Sequence, residues 1–549
     1  MARTIRLRRW QRDALDRYTA RPGPDFLAVA TPGAGKTTFA LAAARQELAA
    51  AAGRRLVVVA PTQHLKRQWA EAADRLDLHL EADWSAADGG LPADVHGLVT
   101  TYQQVATSAV ALARLAPGAV VVLDEVHHAG DDRAWGDAVR EAFAPAAVRL
   151  CLSGTPFRSD THAIPFVRYD DEGLAVPDAD YGYGEALRDG GVVRPVHFPR
   201  IDGEMEWIAA DGTLASASFA DRLDATLAAQ RLRTALSVGG EWLPHVLERA
   251  HAQLGEVRRT HPDAAGLVIA LDQEHARGVA ELMRRRLGVQ PVLALSEDAG
   301  ASRRIASFAA GTAPWIVAVR MVSEGVDIPR LRVGVFATTT TTELFFRQAV
   351  GRIVRWIRGL GPQPAYMFIP DDLRLRTHAL GIAEQRRHAL RRAEDPDGAP
   401  ADPAALDEVP APPRDEPQLS LFAALSATPV GAPSVHTPEE NGLLVADEPA
   451  DDAPELVLEL ASAPHLAAPP APGTSDVSPR ERRRLLRDAN ASAVRLLSRT
   501  TGLSHAQVNQ ELNRLAGVRT VGEATLDQLQ RRRDHAERWL QRASAGLRR

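Results

Sequence analysis

Short apolar runs recur along the first 395 residues, and most are followed by a polar turn and a stretch with helical spacing of apolar positions. Continuous apolar runs are typical of buried strands in a parallel sheet, with the intervening helices covering both faces. The runs form two groups, at 26–30, 56–60, 97–101, 119–123 and 148–152, and at 266–271, 291–295, 315–319, 333–337 and 365–369. The pattern predicts an α/β fold with two tandem parallel-sheet domains.

The same pattern gives the domain boundaries. We expect the first domain at 1–195, a helical connection at 196–260 and the second domain at 261–395. Residues 396–477 are rich in Pro, Ala and acidic residues and show no sustained periodicity, so they cannot bury enough apolar area to offset chain entropy. This range is predicted to be a disordered linker. Helical periodicity returns at 478–549, which predicts a small all-helical C-terminal module.

Charge is distributed unevenly along the chain, although the net charge is only −5. The predicted linker holds 15 acidic residues and one arginine, whereas residues 478–549 hold 16 arginines and seven acidic residues. A basic module after an acidic tether favours an anionic partner such as nucleic acid. A solvated basic helix face is the alternative that the sequence leaves open.

Composition also excludes several classes of protein. The single cysteine, Cys151, excludes a disulfide framework and a cysteine-based zinc module within the chain. No apolar stretch approaches the ~18 residues of a membrane span, and the N-terminus lacks the apolar core of a secretory signal. We therefore expect a cytoplasmic protein without a membrane partner; the sequence does not predict its oligomeric state.

Only two lysines occur beside 63 arginines, and one of them, Lys36, stands in the glycine-rich segment A-T-P-G-A-G-K-T at 30–37. Backbone N–H groups of such a loop and of the following helix surround phosphate groups, and a slim ammonium reaches the β and γ oxygens. A wide guanidinium would fit that space poorly. The segment predicts an ATP-binding loop formed by Thr31, Gly33, Gly35, Lys36, Thr37 and Thr38.

A second motif is acidic: Asp124-Glu125-Val126-His127 follows the apolar run 119–123. A carboxylate at the carboxyl end of a strand can hold Mg²⁺, here Asp124 together with the Thr37 hydroxyl. Glu125 is then placed to orient and deprotonate an attacking water. The order of the two motifs, with the acidic one after a buried strand, makes this a stronger signal than an isolated acidic turn.

The combination of A-x-x-G-x-G-K-T and D-E-x-H resembles superfamily 2 helicases and translocases, and the resemblance extends over residues 1–395. Further blocks occur in the order found in that superfamily. They are L-R-R-W-Q at 7–11, A-P-T at 60–62, T-T-Y at 100–102, S-G-T-P at 153–156, S-E-G-V-D-I-P at 323–329 and Q-A-V-G-R-I-V-R at 348–355.

The resemblance implies two RecA-like domains with an ATP site between them and assigns roles by position. Gln11 would read the adenine edge, and Pro61, Thr62 and Thr101 would contact the nucleic-acid backbone. The residues implied in coupling the two sites are His127, Ser153 and Thr155. From the second domain, Gly325 and Asp327 would face the ligands, while Gln348, Arg352 and Arg355 would complete the catalytic set. Their spacing predicts that Arg352 and Arg355 share one helical face.

Within superfamily 2, the segments DEVHH, GTPFR and EGVDIP are similar to those of the helicase subunits of type I and type III restriction enzymes and related bacterial repair helicases. The resemblance implies ATP-dependent translocation on DNA and unwinding of it, in replication or repair. A duplex translocase that does not separate strands is one alternative, and a non-catalytic adaptor with a vestigial motor is another. RNA stays open as a substrate, and a restriction nuclease within the same chain is not expected.

A short peptide in the predicted linker has the sequence Q-L-S-L-F and consists of Gln418, Leu419, Ser420, Leu421 and Phe422. It resembles the peptide by which bacterial proteins bind the DNA polymerase sliding clamp. An amide would make polar contacts while Leu421 and Phe422 fill an apolar pocket. We therefore predict the sliding clamp as a partner through residues 418–422; docking of this peptide on the chain's own motor is the alternative.

Overall fold

The structure is a computed structural model of the 549-residue chain. It describes residues 4–130, 133–154, 163–171, 173–209, 212–295, 300–319, 328–394, 423–434, 456–459 and 479–546. All structural statements below concern these residues.

Strands and helices alternate through the first 394 residues. The strands are β1 Thr4–Leu7, β2 Asp25–Ala30, β3 Leu56–Ala60, β4 Leu80–Glu81, β5 Gly97–Thr101, β6 Val120–Leu123, β7 Val148–Ser153, β8 Ala179–Tyr181, β9 Val196–His197, β10 Arg200–Ile208, β11 Leu214–Ser218, β12 Ala265–Ala270, β13 Val292–Ala294, β14 Trp315–Ala318, β15 Leu331–Ala337, β16 Ala365–Pro370, β17 Ala423–Ser434 and β18 Leu456–Glu459. The helices are α1 Arg9–Thr19, α2 Lys36–Ala50, α3 Gln63–Asp74, α4 Tyr102–Leu115, α5 Arg133–Phe143, α6 Tyr183–Arg188, α7 Ala225–Ala235, α8 Trp242–Thr260, α9 Gln273–Leu287, α10 Ala301–Ala310, α11 Glu343–Ile353, α12 Leu373–Glu394, α13 Pro479–Thr501, α14 His505–Ala516 and α15 Leu526–Gly546. None of these helices has the length and apolar character that crossing a membrane requires.

The first domain is built on a seven-stranded parallel sheet with the order β4-β5-β3-β6-β7-β2-β8. Its central strands are buried along their whole length, as the continuous apolar runs predict. Because the strands are parallel, their carboxyl ends share one edge of the sheet. The loops that follow β2, β3, β5, β6 and β7 are thereby brought together.

The second domain contains the sheet path β11-β10-β16-β15-β12-β14-β13, whose strands β12 to β16 are parallel. The two tandem parallel-sheet domains of the predicted fold class are thus confirmed. The range 196–260, however, contains β9, β10 and β11 as well as helices α7 and α8. Strand β10 pairs antiparallel with β11, and its side chains alternate between buried and exposed. Strand β10 has a period of two rather than a continuous apolar run, and its pairing with β11 and β16 makes it part of the sheet and not of a helical connection.

Two segments of the predicted linker pair with strands that lie before residue 395. Strand β17 lies antiparallel to β10 over residues 200–208, and its Ala427 is 2% exposed in the core of the second domain. Strand β18 lies antiparallel to β1, with Leu7 opposite Leu456. These pairings complete open strand edges, which are ready to accept a further strand. The expectation of uniform disorder over 396–477 therefore does not hold for these two segments.

The C-terminal module is the predicted helical unit, formed by α13, α14 and α15. Its centre holds Arg532, which is 1% exposed and donates hydrogen bonds to the side-chain oxygens of three asparagines. They are Asn490, Asn509 and Asn513, one residue from α13 and two from α14. Arg532 is thus the middle residue of an arginine run, 531–533, and belongs to the interior of the module.

We expect Arg532→Ala to destabilise the C-terminal module by about 3 kcal/mol, because three buried hydrogen bonds are lost and amide groups remain without their donor. Hydrogen exchange resolved along the chain measures this effect as faster exchange in α13 to α15. Arg531→Ala, at the exposed neighbouring position, is the matched control. Equal protection of α13 in the two variants would contradict a central role for Arg532.

Candidate ATP and nucleic-acid site

The glycine-rich loop joins β2 to α2. Gly33 and Gly35 have positive φ angles of 88° and 92°, a region that residues with a Cβ atom rarely enter. The Lys36 ammonium donates a hydrogen bond to the carbonyl oxygen of Ala30 (3.0 Å) and lies 3.6 Å from a carboxylate oxygen of Glu125. The loop thus presents a helix N-terminus beside an ammonium, an arrangement suited to phosphate.

Gln11, the predicted adenine reader, is bonded to this loop from the side of α1. Its side-chain amide donates to the carbonyl oxygen of Gly35 (2.9 Å) and accepts from the backbone N–H of Arg8 (2.8 Å). A Cβ atom on Gly35 would lie 2.6 Å from Nε2 of Gln11. Next to it, the Trp10 ring stacks on Tyr181 with 5.1 Å between ring centroids. The contacts of Gln11 therefore fix the glycine-rich loop and give a steric reason for glycine at position 35.

Asp124, at the carboxyl end of β6, is held by two aromatic residues from different helices. The Trp69 indole N–H of α3 donates to Oδ2 of Asp124 (2.7 Å), and the Tyr102 hydroxyl of α4 donates to its backbone oxygen (3.0 Å). Asp124 is 7% exposed, and burial, with repulsion from Glu125, raises the pKa of its carboxyl group. Two helices that start at the predicted nucleic-acid segments thus fix the predicted metal ligand.

Glu125 occupies the left-handed region with φ 47°, which is rare for a residue with a side chain. One of its oxygens accepts a hydrogen bond from the backbone N–H of Gly154 (3.0 Å), and the other faces the Lys36 ammonium. Burial alone would raise the pKa of Glu125, but Lys36, His127 and the Gly154 N–H lower it well below its usual range. The carboxylate is therefore ionised at neutral pH and aimed at the glycine-rich loop.

Helix α11 brings the second domain against these groups. Nε2 of Gln348 lies 3.0 Å from Nε2 of His127 in the first domain. A Cβ atom on Gly351 would lie 2.5 Å from the Pro32 ring, so glycine is required for the close approach of α11 to the glycine-rich loop. Residues that are more than 200 positions apart in the sequence thus form one site.

Arg352 and Arg355, the two arginines of the predicted catalytic set, differ in their backbone setting. Arg352 lies on α11, but the helix ends at Ile353, and Arg355 forms an isolated antiparallel bridge with Val193. The prediction that both arginines share a helical face is therefore wrong, because the chain turns into an extended conformation between them. This turn directs Arg355 to the glycine-rich loop, where a Cβ atom on Gly33 would lie 3.1 Å from its Nη1.

The predicted nucleic-acid residues start two helices at the carboxyl ends of neighbouring strands. Pro61 follows β3 directly. Thr62 caps α3 and Thr101 caps α4, each accepting a hydrogen bond from a backbone N–H of the first helical turn. The two helices are joined by the Lys66 ammonium, which donates to Oε1 of Gln104 (3.3 Å). The predicted backbone-contact residues thus lie on the same sheet edge as the ATP site.

The remaining predicted residues divide into two groups. Thr31, at the end of β2, is 6% exposed, Ser153 ends β7 and is fully buried, and Thr37 and Thr38 lie in the first turn of α2. The residues outside the described part of the chain are Thr155, Gly325, Asp327, Gln418, Leu419, Leu421 and Phe422.

Sequence reasoning missed Trp69 and Tyr102, the two donors to Asp124. Tyr102 is the last residue of the T-T-Y segment, and its position directly after the Thr101 cap is the signal that the sequence offers. Trp69 lies seven residues after Thr62, so it is two turns along α3 from the cap. The apolar spacing of α3 indicates a buried position but does not reveal a carboxylate partner.

The chain is similar in sequence to a known protein family and to mycobacterial proteins. Residues 4–158 match the family described as "Type III restriction enzyme, res subunit". The "Uncharacterized protein MT2985" of Mycobacterium tuberculosis (strain CDC 1551 / Oshkosh) is 40% identical over 96% of this chain and 92% of its own length. The "Uncharacterized protein ML1624" of Mycobacterium leprae (strain TN) is 39% identical over 96% of this chain and 93% of its own length.

Two solved structures are similar at lower identity. The ATP-dependent Type ISP restriction-modification enzyme LlaBIII bound to DNA has 15% identity and a TM-score of 0.47, and the match covers 70% of this chain and 30% of that one. Saccharomyces cerevisiae Dbp5 bound to RNA and ADP BeF3 has 13% identity and a TM-score of 0.42, covering 69% and 88%. The two mycobacterial proteins match almost the whole chain at about 40% identity, so the chain belongs to the family of these proteins.

Proposed function

We propose that this protein is an ATP-dependent DNA helicase or translocase that acts in DNA replication or repair. The observation that carries the proposal is the composite site, in which Gln348, Gly351 and Arg355 of the second domain meet the glycine-rich loop and DExH box of the first. A site divided between two domains can link a change in the nucleotide to a change in the cleft. Repeated closing and opening would then move the protein along a strand.

The residues present fit ATP and Mg²⁺. The backbone geometry of Gly33 and Gly35 and the Lys36 ammonium suit phosphate, while Asp124 and Thr37 would hold the metal. When bound, Mg²⁺ neutralises negative charge on the phosphate oxygens. Glu125 is the ionised carboxylate that would take a proton from the attacking water. Arg355 would supply positive charge from the second domain.

Steady-state ATP hydrolysis tests the proposal directly. We would compare no nucleic acid, single-stranded DNA, duplex DNA and RNA, with Lys36→Ala as the blank. Stimulation by DNA that depends on Lys36 is the expected result, and strand-displacement and triplex-displacement assays then separate unwinding from translocation on a duplex. Absence of Lys36-dependent turnover under all four conditions would reject the motor.

Trp69→Phe should raise about tenfold the Mg²⁺ concentration that ATP hydrolysis requires. The change removes the N–H that orients the Asp124 carboxylate but keeps an aromatic ring. The measurement is the Mg²⁺ concentration that gives half-maximal ATP turnover. The matched control is Trp315→Phe, which removes a buried indole hydrogen bond to His251 in the second domain. An unchanged Mg²⁺ dependence in Trp69→Phe would show that Asp124 needs no such orientation.

We further propose that residues 418–422 bind the bacterial sliding clamp. The support is the Q-L-S-L-F sequence itself. Replacing Gln418, Leu421 and Phe422 together by alanine should abolish binding to the isolated clamp in surface plasmon resonance while ATP hydrolysis persists. Clamp binding that survives the triple replacement would remove the peptide from the proposal.

A further inference from the structure

Helix α13 of the C-terminal module has an inner and an outer face. Its buried residues are Arg483, Leu486, Asn490, Val494 and Leu497. On another face, Arg480, Arg484, Arg495 and Arg499 follow one another at helical spacing, with Glu481 and Asp488 as the acidic residues among them. We call these four arginines the arginine stripe. Arg484, Arg495 and Arg499 are exposed, and the stripe extends about 28 Å along the helix at ~1.5 Å per residue.

Buried ion pairs fix α13 to the first domain. Arg483 binds Asp94 (2.7 Å) and Arg487 binds Glu81 (3.1 Å), and Arg483 and Glu81 are each 5% exposed. A third contact joins the backbone N–H of Gly90 to the Glu523 carboxylate (2.9 Å). Because hydrogen-bonded charge pairs require a defined geometry, these contacts set the direction of the arginine stripe relative to the first domain.

The segment 81–94, which makes these contacts with the C-terminal module, also touches one of the predicted nucleic-acid segments. The backbone oxygen of Trp84 accepts a hydrogen bond from the Gln104 side chain (2.7 Å), and Gln104 accepts one from Lys66. Burial lowers the pKa of Lys66; Asp83 and Glu81 oppose this effect, and the positive charge of Arg480 adds to it. Glu81, the partner of Arg487, lies three residues before Trp84, so α13 is docked on the same segment that contacts the helix capped by Thr101.

We propose that the arginine stripe binds the phosphate backbone of DNA and extends the path that passes the Thr62 and Thr101 segments. The inference rests on the proposed function in one respect, since those segments are taken as the track. Guanidinium groups that are spaced along an exposed helix suit a row of phosphates and carry no base preference. DNA is favoured over an acidic protein because α13 is docked beside the segments that we propose as the nucleic-acid track.

The test is the salt dependence of DNA binding in the absence of nucleotide, measured by fluorescence anisotropy. Arg484→Ala, Arg495→Ala and Arg499→Ala are combined in one variant. Each lost phosphate contact lowers the slope of log affinity against log salt by roughly 0.7–0.9, so the variant should lose about 2 to 3 from the slope. Affinity should fall equally for DNA of different sequences, and an unchanged Tm verifies folding.

The chain offers a control with the same change in charge. Arg259, Arg284 and Arg285 are exposed at the C-terminal ends of α8 and α9. These ends lie at the amino edge of the second sheet, opposite the edge that holds the site. Alanine at all three positions should leave the salt slope unchanged.

Three outcomes would overturn the proposal. One is an equal loss of slope in the control variant, which would mean long-range attraction without a defined surface. Another is an unchanged slope in the stripe variant. A third is loss of binding to poly-glutamate with unchanged DNA binding, which would assign the arginine stripe to an acidic protein. A different outcome separates the two proposals. If the slope changes as expected but DNA does not stimulate ATP hydrolysis, the proposed motor function is wrong and DNA binding by the arginine stripe still holds.

Discussion

Glu125→Gln is expected to lower ATP turnover by about 10³-fold while nucleotide binding persists. Glutamine has nearly the same shape as glutamate, but it cannot accept a proton from water and does not carry the charge that faces Lys36. The Gly154 N–H can still bond to the amide oxygen, so the local backbone should be kept. Single-turnover hydrolysis and the Kd of a fluorescent ATP analogue separate the chemical step from binding.

The matched control for this change is Glu141→Gln, at an exposed position on α5 in the same domain. It removes one negative charge from the surface and should leave turnover unchanged. Turnover of Glu125→Gln within tenfold of the unmodified protein would mean that another group takes the proton. The role assigned to Glu125 would then be wrong, while the ATP site itself could remain.

Arg355→Ala is the second change for which we expect a loss of at least about 10³-fold in turnover. The Arg355 guanidinium reaches Gly33 from the second domain, where it can stabilise charge that develops on the transferred phosphoryl group. The glycine-rich loop belongs to the first domain, so the affinity for ATP should change much less than the rate. Arg355→Lys should not restore turnover, because an ammonium lacks the planar fork.

Arg358→Ala is the corresponding control, since Arg358 is exposed three residues later in the same segment. Its turnover should match that of the unmodified protein. If Arg355→Ala raised the Kd for ATP by the same factor by which it lowered the rate, Arg355 would contribute uniform binding rather than stabilisation of the transition state.

The sequence was sufficient for the strands that lie inside the two sheets, because a strand buried on both faces must be apolar along its length. It also located the glycine-rich loop and the DExH box, whose chemistry depends on residue type and spacing. It was insufficient for β10, where one apolar face alternates with a polar one. Strand β17 contains Pro429 and Pro433 and mostly small residues, so its own composition does not indicate a strand.

The contacts that the sequence could not supply are tertiary. Trp69 reaches Asp124 across 55 positions, and the burial of Arg532 depends on three asparagines from two other helices. The position of Arg355 beyond the end of α11 is another case. Helical spacing describes Arg352 and Arg355 equally well, but the helix ends at Ile353 and Arg355 pairs with Val193.

Strand β17 has a consequence for any cargo that residues 418–422 recruit. The first residue of the strand, Ala423, is opposite Ile208 in the second domain, and one peptide bond separates it from Phe422. Neighbouring Cα atoms are ~3.8 Å apart, so a partner gripped by the peptide would have almost no slack on that side. Such a partner would therefore move together with the second domain whenever the cleft between the two domains opens or closes.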